Sequence, residues 1–243
     1  MTPPNGRGER DSLGSRHGIS DPAEDRALAA DPKVAAHLGS AYEKVSRYAE
    51  LLGQDGVKLG LIGPSETARL WSRHILNSSA VASYLPATGT VIDVGSGAGL
   101  PGVVLAAMRP DLRTLLIEPM ERRVAWLRNV LAQLELDSAE VIRGRAEEMR
   151  DRVAAQAVTA RAVAPLSRLV PWTLPLLVEG GALLAIKGGR AAEEIQQAQA
   201  VIRREGGGQA EILTAETIEG VDPTTLVRIV READVRRGGR RVD

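Results

Sequence analysis

The chain of 243 residues has no cysteine and no phenylalanine. Without a thiol there is no disulfide, no thiolate metal site and no cysteine nucleophile, and a cytoplasmic location is the simplest expectation. Aromatic residues make up 2% of the chain. The core must therefore be assembled from Leu, Val, Ile and Ala, and any mechanism that stacks several bases on rings is disfavoured. The charges cancel, with 31 basic and 31 acidic residues, so bulk charge announces no nucleic-acid partner, although a local patch can still serve one. No run of about 18 apolar residues occurs, and the N-terminal stretch has no apolar signal core. Neither a membrane span nor a signal peptide is expected.

What is present is enough apolar sequence, 44% of residues, for one sizeable core and an appendage. Residues 1–26 are polar and rich in Pro and Gly, the composition of a disordered tail. Residues 27–87 carry helical periodicity and form an expected N-terminal helical subdomain. One helix is expected to start on a polar cap at Ser65 and to carry Leu70, Ile75, Leu76 and Val81. From residue 88 to 235 short apolar strands alternate with helices, which predicts a doubly wound α/β sheet. The expected strands are 90–94, 113–118, 139–143, 157–163 and 182–187. The helices between them include 99–108 and 121–136, the latter with Val124, Leu127, Val130, Leu131 and Leu134 on one face. Trp126, beside that stripe, reads as packing. After a helix stopped by three glycines, "QAEILTAETI" and "TTLVRIVRE" are too close for a helical crossover, so at least one of them runs antiparallel. The last residues, 236–243, are a basic tail containing Arg236, Arg237, Arg240 and Arg241.

The most informative stretch is "VIDVGSGAGLPG", Val91 to Gly102. Its glycines follow a strand, as in a dinucleotide site, but Gly95, Gly97 and Gly99 are spaced G-x-G-x-G, so the pyrophosphate fingerprint fails. Asp93, two residues before the first glycine, would repel a pyrophosphate and attract a cationic ligand. That sign favours S-adenosylmethionine, a sulfonium with an α-amino group, over a nicotinamide dinucleotide. Glu118, at the end of the second strand, is placed to accept ribose hydroxyls, a role common to both ligands. The bland alternative for the loop is a plain strand-to-helix turn.

These residues, with "RHILNS" at 73–78, "GRAEEM" at 144–149, "ARAVAPL" at 160–166 and "LLAIKGG" at 183–189, resemble the small-subunit ribosomal RNA methyltransferase G family, also called glucose-inhibited division protein B. The resemblance runs in order from about residue 60 to nearly 235. Leu100 stands where the family's GSGAGFPG has Phe, and "LGLIGPSE" stands where the family often shows N-L-T-x-I, so no role is carried over for that missing Asn and Thr. The resemblance implies a class I S-adenosylmethionine-dependent methyltransferase fold, Rossmann-like, with a seven-stranded sheet in the order 3-2-1-4-5-7-6 and strand seven antiparallel. It implies methyl transfer to N7 of guanosine 527 in 16S ribosomal RNA. The expected partner is that RNA or the small ribosomal subunit, with no membrane and a monomeric protein. Together with Asp93 from the charge argument, the expected cofactor site is Gly95, Ser96, Gly97, Gly99, Leu100, Glu118, Ala146, Glu147 and Arg161, the last implied by the resemblance to reach in from the fourth strand. No metal site is expected.

The chemistry runs the same way. Methylation of pyrimidine C5 commonly needs a cysteine, and exocyclic amines commonly need a [DNS]-P-P-[YFW] loop, where this chain has "ARAVAPL". A ribose hydroxyl must lose a proton. Guanine N7 offers a bare lone pair, so no catalytic base is required and none is assigned. RNA-contact candidates are Arg73, His74, Arg122, Arg123, Lys187 and Arg190, with the tail arginines. Each has a plainer reading: solvated charge for Arg122 and Arg123, packing for His74, and a helix start for Glu147 and Glu148. Two other functions share this core. A small-molecule methyltransferase would have an enclosed apolar pocket rather than a basic open one, and a non-catalytic assembly factor would bind the cofactor without turnover.

Overall fold

Apolar strands with helical crossovers cover both faces of one sheet in the computed structural model, which describes residue 19 and residues 21–232. The sheet has seven strands in the order β3-β2-β1-β4-β5-β7-β6. They are β1 (Thr90–Val94), β2 (Arg113–Glu118), β3 (Ala139–Arg143), β4 (Ala155–Arg161), β5 (Leu177–Lys187), β6 (Glu211–Ala215) and β7 (Thr224–Val230). Strands β1 to β5 are parallel, and β7 runs antiparallel to β5 and β6. The class I arrangement expected from the resemblance is thus the one observed. Strand order reverses between β1 and β4, and ligands of open α/β sheets bind beyond the carboxyl ends of the strands at such a point.

The alternation of side chains across β1 and β2 sorts the helices. Ile92, Val94, Leu115 and Ile117 pack with α7 (Leu166–Thr173) and α8 (Ala191–Arg204) on one face. Leu116 faces the other way, into a core shared with α5 (Gly102–Met108), α6 (Glu121–Gln133) and the N-terminal helices. In α6 the i, i+3, i+4 spacing of Val124, Leu127, Val130 and Leu131 puts all four inside. The expected start of α5 at Gly99 moves to Gly102, because a residue before proline is pushed out of the helical region and Gly99 itself has φ +112.

The N-terminal helices are α1 (Pro22–Ala27), α2 (Pro32–Leu38) and α3 (Tyr42–Asp55), followed by a 3₁₀ turn (Pro64–Arg69), a π-helical turn (Leu70–Leu76) and the short α4 (Asn77–Ser79). Two expectations change here. The single regular helix from Ser65 is a succession of 3₁₀, π and α turns. The expected tail to residue 26 also reaches too far: Asp21 accepts from Ala23 N at 2.7 Å to cap α1, Pro22 sits in its first turn, and Asp25 is buried. Polar composition concealed that segment because the side chain it buries is a carboxylate. Residues 1–18 and the basic tail at 236–243 lie outside the described residues.

Candidate functional site

The glycine loop is held by main chain and by two aromatic donors. Gly95 N and Ser96 N donate to the Ile117 carbonyl at 2.9 and 3.1 Å, tying β1 to β2. Trp126 Nε1 and Tyr48 Oη both donate to the Ala98 carbonyl, at 2.8 and 3.1 Å. Burial pushes the Tyr48 phenol far up, so it remains a donor. Trp126 therefore packs, as expected, and also holds the loop. Gly95, Gly97 and Gly99 all have positive φ. At Gly99 a Cβ would lie 2.6 Å from Val103 Cγ2 and 3.0 Å from Tyr48 Oη, so glycine is required by both conformation and space.

Asp93 has a different place from the one its charge suggested. Its carboxylate is fully buried and accepts from Thr159 Oγ1 at 2.9 Å, across the β1–β4 register, and from Gly102 N at 3.2 Å. It lines neither of the cavities at this end of the sheet. Through these two bonds Asp93 anchors the start of α5 to β4 behind the loop. Burial pushes its carboxyl up to about 6, against the hydrogen bonds that favour the anion.

Glu118 also lies behind the loop, 2% exposed, with Oε2 accepting from Gly97 N and Oε1 from Met120 N, each at 2.9 Å. Each oxygen keeps capacity for another hydrogen bond. Gly144 N donates to the Glu118 carbonyl, which brings the turn bearing buried Ala146 and exposed Glu147 beside it. Arg123 lies 4.0 Å from Glu118 Oε2.

In front of the loop is a cavity of about 300 Å³, bounded by Gly95, Ser96, Gly97, Leu100, Arg123 and Arg161, among others. The strand ends β4 and β5 border a second cavity of about 590 Å³, whose walls include Arg73, Asn77, Val163 and Lys187. Glu66, His74, Arg161 and Ala162 belong to both. Arg161 is thus a partition between two chambers. Its guanidinium donates to the Arg73 carbonyl and to Asn77 Oδ1, each at 3.1 Å, and to His74 Nδ1. Arginine carries no acceptor, so His74 Nδ1 must be unprotonated and the ring proton sits on Nε2. That nitrogen lies 2.8 Å from Glu66 Oε2 without a hydrogen bond's alignment. Burial and then the Arg161 charge push the imidazole down to about 4, so His74 is neutral at physiological pH.

Several RNA-contact candidates have partners within the protein. His74 is 6% exposed and belongs to the partition. Arg123 lines the loop cavity, and its buried Nε has no partner. Lys187 Nζ donates to the Ala164 carbonyl and to Glu194 Oε2, both at 2.8 Å, which leaves one of its three donors for the chamber. Burial opposes the Glu194 charge, but Lys187 and the Leu166 amide outweigh it and hold that carboxyl below its ordinary range. Arg73 is exposed at the rim, 3.5 Å from Glu66, while Arg122 and Arg190 are exposed and line neither chamber. Sequence reasoning missed Glu66, Asn77, Tyr48 and Thr159. Asn77 and Glu66 lay within quoted stretches and Thr159 beside one, but nothing local marked them as site residues.

The family model described as rRNA small subunit methyltransferase G matches residues 41–219. The chain belongs to that family. Its relatives include the ribosomal RNA small subunit methyltransferase G of Salinispora tropica, 49% identical over 211 residues, covering 80% of this chain and 87% of the relative. The protein of the same name from Thermobifida fusca is 49% identical over 193 residues, covering 79% and 81%. Among solved structures, one described as an S-adenosylmethionine-dependent methyltransferase of Methanococcus maripaludis superposes with TM-score 0.52 at 16% identity, covering 76% of this chain and 92% of that one. NSun6 of Pyrococcus horikoshii gives 0.51 at 11% identity, covering 66% and 52%. Those two likenesses concern the fold. As a member of the methyltransferase G family, the protein is a methyltransferase that uses S-adenosylmethionine. The residues present fit that cofactor: an uncluttered floor at Gly97, spare acceptor capacity on Glu118, and an unpaired guanidinium N–H on Arg123.

No helix among the described residues is long and apolar enough to cross a membrane.

Proposed function

We propose that the protein methylates N7 of guanosine 527 in 16S ribosomal RNA, with the loop cavity as the cofactor chamber and the β4–β5 cavity receiving the guanine. The observation that carries this reading is that the acid–base groups of the second chamber are bound to one another. Glu194 is held by Lys187 and Leu166 N, His74 is neutral with Nδ1 occupied by Arg161, and Glu66 faces His74 and Arg73. A substrate that had to lose a proton would find only Glu66 as a base there, and its carboxylate is charge-paired with Arg73 at 3.5 Å.

Bound S-adenosylmethionine supplies a methyl group on a sulfonium. Its sulfur would keep the electron pair of the methyl bond as the N7 lone pair takes the methyl, so the protein would have no proton to remove. The protein's contribution is alignment and exclusion of water. Glu118 is proposed to take the ribose hydroxyls, with Ala146 and Glu147 beside the adenine and Gly95, Ser96, Gly97, Gly99 and Leu100 shaping the loop around the methionine moiety. Arg161 fixes the opening between the chambers, and the remaining Lys187 donor suits the guanine O6 edge.

N7 is on the Hoogsteen edge, which requires an irregular or opened RNA element. Exposed Arg73, Arg122 and Arg190 are proposed as phosphate contacts around it. The polar and charged lining of the second chamber supports RNA over an apolar small molecule. The test is to incubate the protein with isotopically labelled cofactor and small subunits lacking the modification, then locate the label by mass spectrometry of nuclease fragments. Label at N7 of that guanosine is expected. Label on an amine, a ribose or a small molecule overturns the assignment.

A further inference from the structure

Asp25 lies far from both chambers in sequence, in a segment whose composition reads as tail, yet its carboxylate is 1% exposed. Oδ2 accepts from Trp71 N at 2.9 Å, and Oδ1 accepts from Ser72 N at 2.8 Å and from the Ser72 hydroxyl. These amides open the Leu70–Leu76 turn and have no acceptor within it. We propose that Asp25 is a positioning residue for methyl transfer, acting through the Leu70–Leu76 turn on Arg161.

The path is short and continuous. Immediately after the amides that Asp25 holds come the Arg73 carbonyl and His74 Nδ1, and with Asn77 Oδ1, a turn further on, they converge on the Arg161 guanidinium. The Asn77 amide bonds to the His74 carbonyl, three residues back, rather than to the Arg73 carbonyl, which accepts from Arg161. Such wide turns are uncommon and concentrate at functional sites. An anion at the amino end offsets part of the cost of holding one. The other end is tied to the sheet, where Asn77 Nδ2 donates to Thr224 Oγ1 at 2.8 Å and the Thr224 hydroxyl donates to the Asn77 carbonyl. With both ends fixed, the three acceptors stay aimed at one guanidinium. Asp25 is itself placed by the Asp21 cap and the Asp25 N to Asp21 O bond of α1.

This inference rests on Arg161 being the partition at which transfer occurs. The test compares Asp25→Ala and the milder Asp25→Asn in wild-type and Arg161→Ala backgrounds, using unmodified small subunits and labelled cofactor. Asp25→Ala is expected to lower kcat at saturating substrates by about tenfold or more, while cofactor Kd by calorimetry changes less than about threefold. Asp25→Asn, which keeps one acceptor oxygen, falls between. In the Arg161→Ala background the further loss is under about twofold, the non-additivity of residues acting in series. Independently of activity, the His74 titration followed by NMR moves up in Asp25→Ala, because the Arg161 charge no longer faces its ring. An unchanged kcat with an unchanged His74 titration overturns the proposal, as does an equal loss in both backgrounds. Label on a base other than the proposed guanosine removes the substrate assignment and leaves the Asp25 linkage standing.

Discussion

Around Gly97 the chamber wall is main chain, braced from behind by Asp93, Glu118, Tyr48 and Trp126, whereas around Arg161 the wall is side chains from residues 73–77 meeting an arginine from β4. The first wall's main chain lies within one strand–turn–helix unit, braced from β2, α6 and α3. The second joins residues separated by 84 to 88 positions in the chain. A cofactor shared by many enzymes can be held by backbone, which any sequence with the right glycines supplies. A particular substrate needs side chains, and those are assembled from distant segments.

The sharpest way to break this contrast is Arg161→Ala. It strands three acceptors at once, and we expect kcat to fall by about 100-fold or more while cofactor affinity changes little; a native rate in a single-turnover assay would remove Arg161 from the site. On the main-chain side, Gly102→Ala places a Cβ 2.2 Å from Leu116 Cδ2 and 2.7 Å from Asp93 Oδ2. Denaturant unfolding should show a loss of about 2–3 kcal/mol, the range of overpacked cores. Glu118→Ala removes the acceptor for Gly97 N and the proposed ribose partner. Calorimetry should report cofactor binding weaker by about tenfold or more in a protein that still folds, and unchanged affinity would remove Glu118 from the site.

The smallest effect separates the two walls by pH. His74 has its folded value lowered to about 4 from 6.5, so the unfolded chain binds a proton that the native state refuses, and its contribution to stability falls as pH drops through that window. Asp93 has its folded value raised to about 6 from 3.8, so the native state binds the extra proton and its contribution rises as pH drops from about 6 toward 3.8. His74→Gln should remove the first slope and Asp93→Asn the second. Thermal melts that show the same slope change in both variants would contradict the assignment.

The same contrast decides what could be read from sequence. Strands β1, β2 and β3 occupy the expected residues, since each is a short apolar run between clear turns. The expected 157–163 strand instead ends at Arg161, where Ala162 takes a positive φ. The strand expected from 182 begins at Leu177, because "EGG" reads as a break. There Gly181 is needed inside the strand: a Cβ would lie 3.0 Å from the carbonyls of Gln156 and Val178. The strand-to-loop break at Gly95 was legible because it lies within one strand–turn–helix unit, whereas the bonds of the Asp93 carboxylate to Thr159 and Gly102 were not, since they depend on the β1–β4 pairing and on where α5 starts. Asp25, Glu66 and Asn77 were illegible because their roles depend on partners brought together only by the fold.

Of the chain's three tryptophans, Trp126 is bonded to the Ala98 carbonyl under the cofactor loop, Trp71 donates its amide to Asp25 at the start of the π turn, and Trp172 lies beneath the Arg168 guanidinium on α7. Each indole thus samples a different compartment. Variants that retain one tryptophan apiece turn the protein into its own set of optical reporters: one for filling of the loop, one for the clasp at the partition, and one for the far face of the sheet as a control.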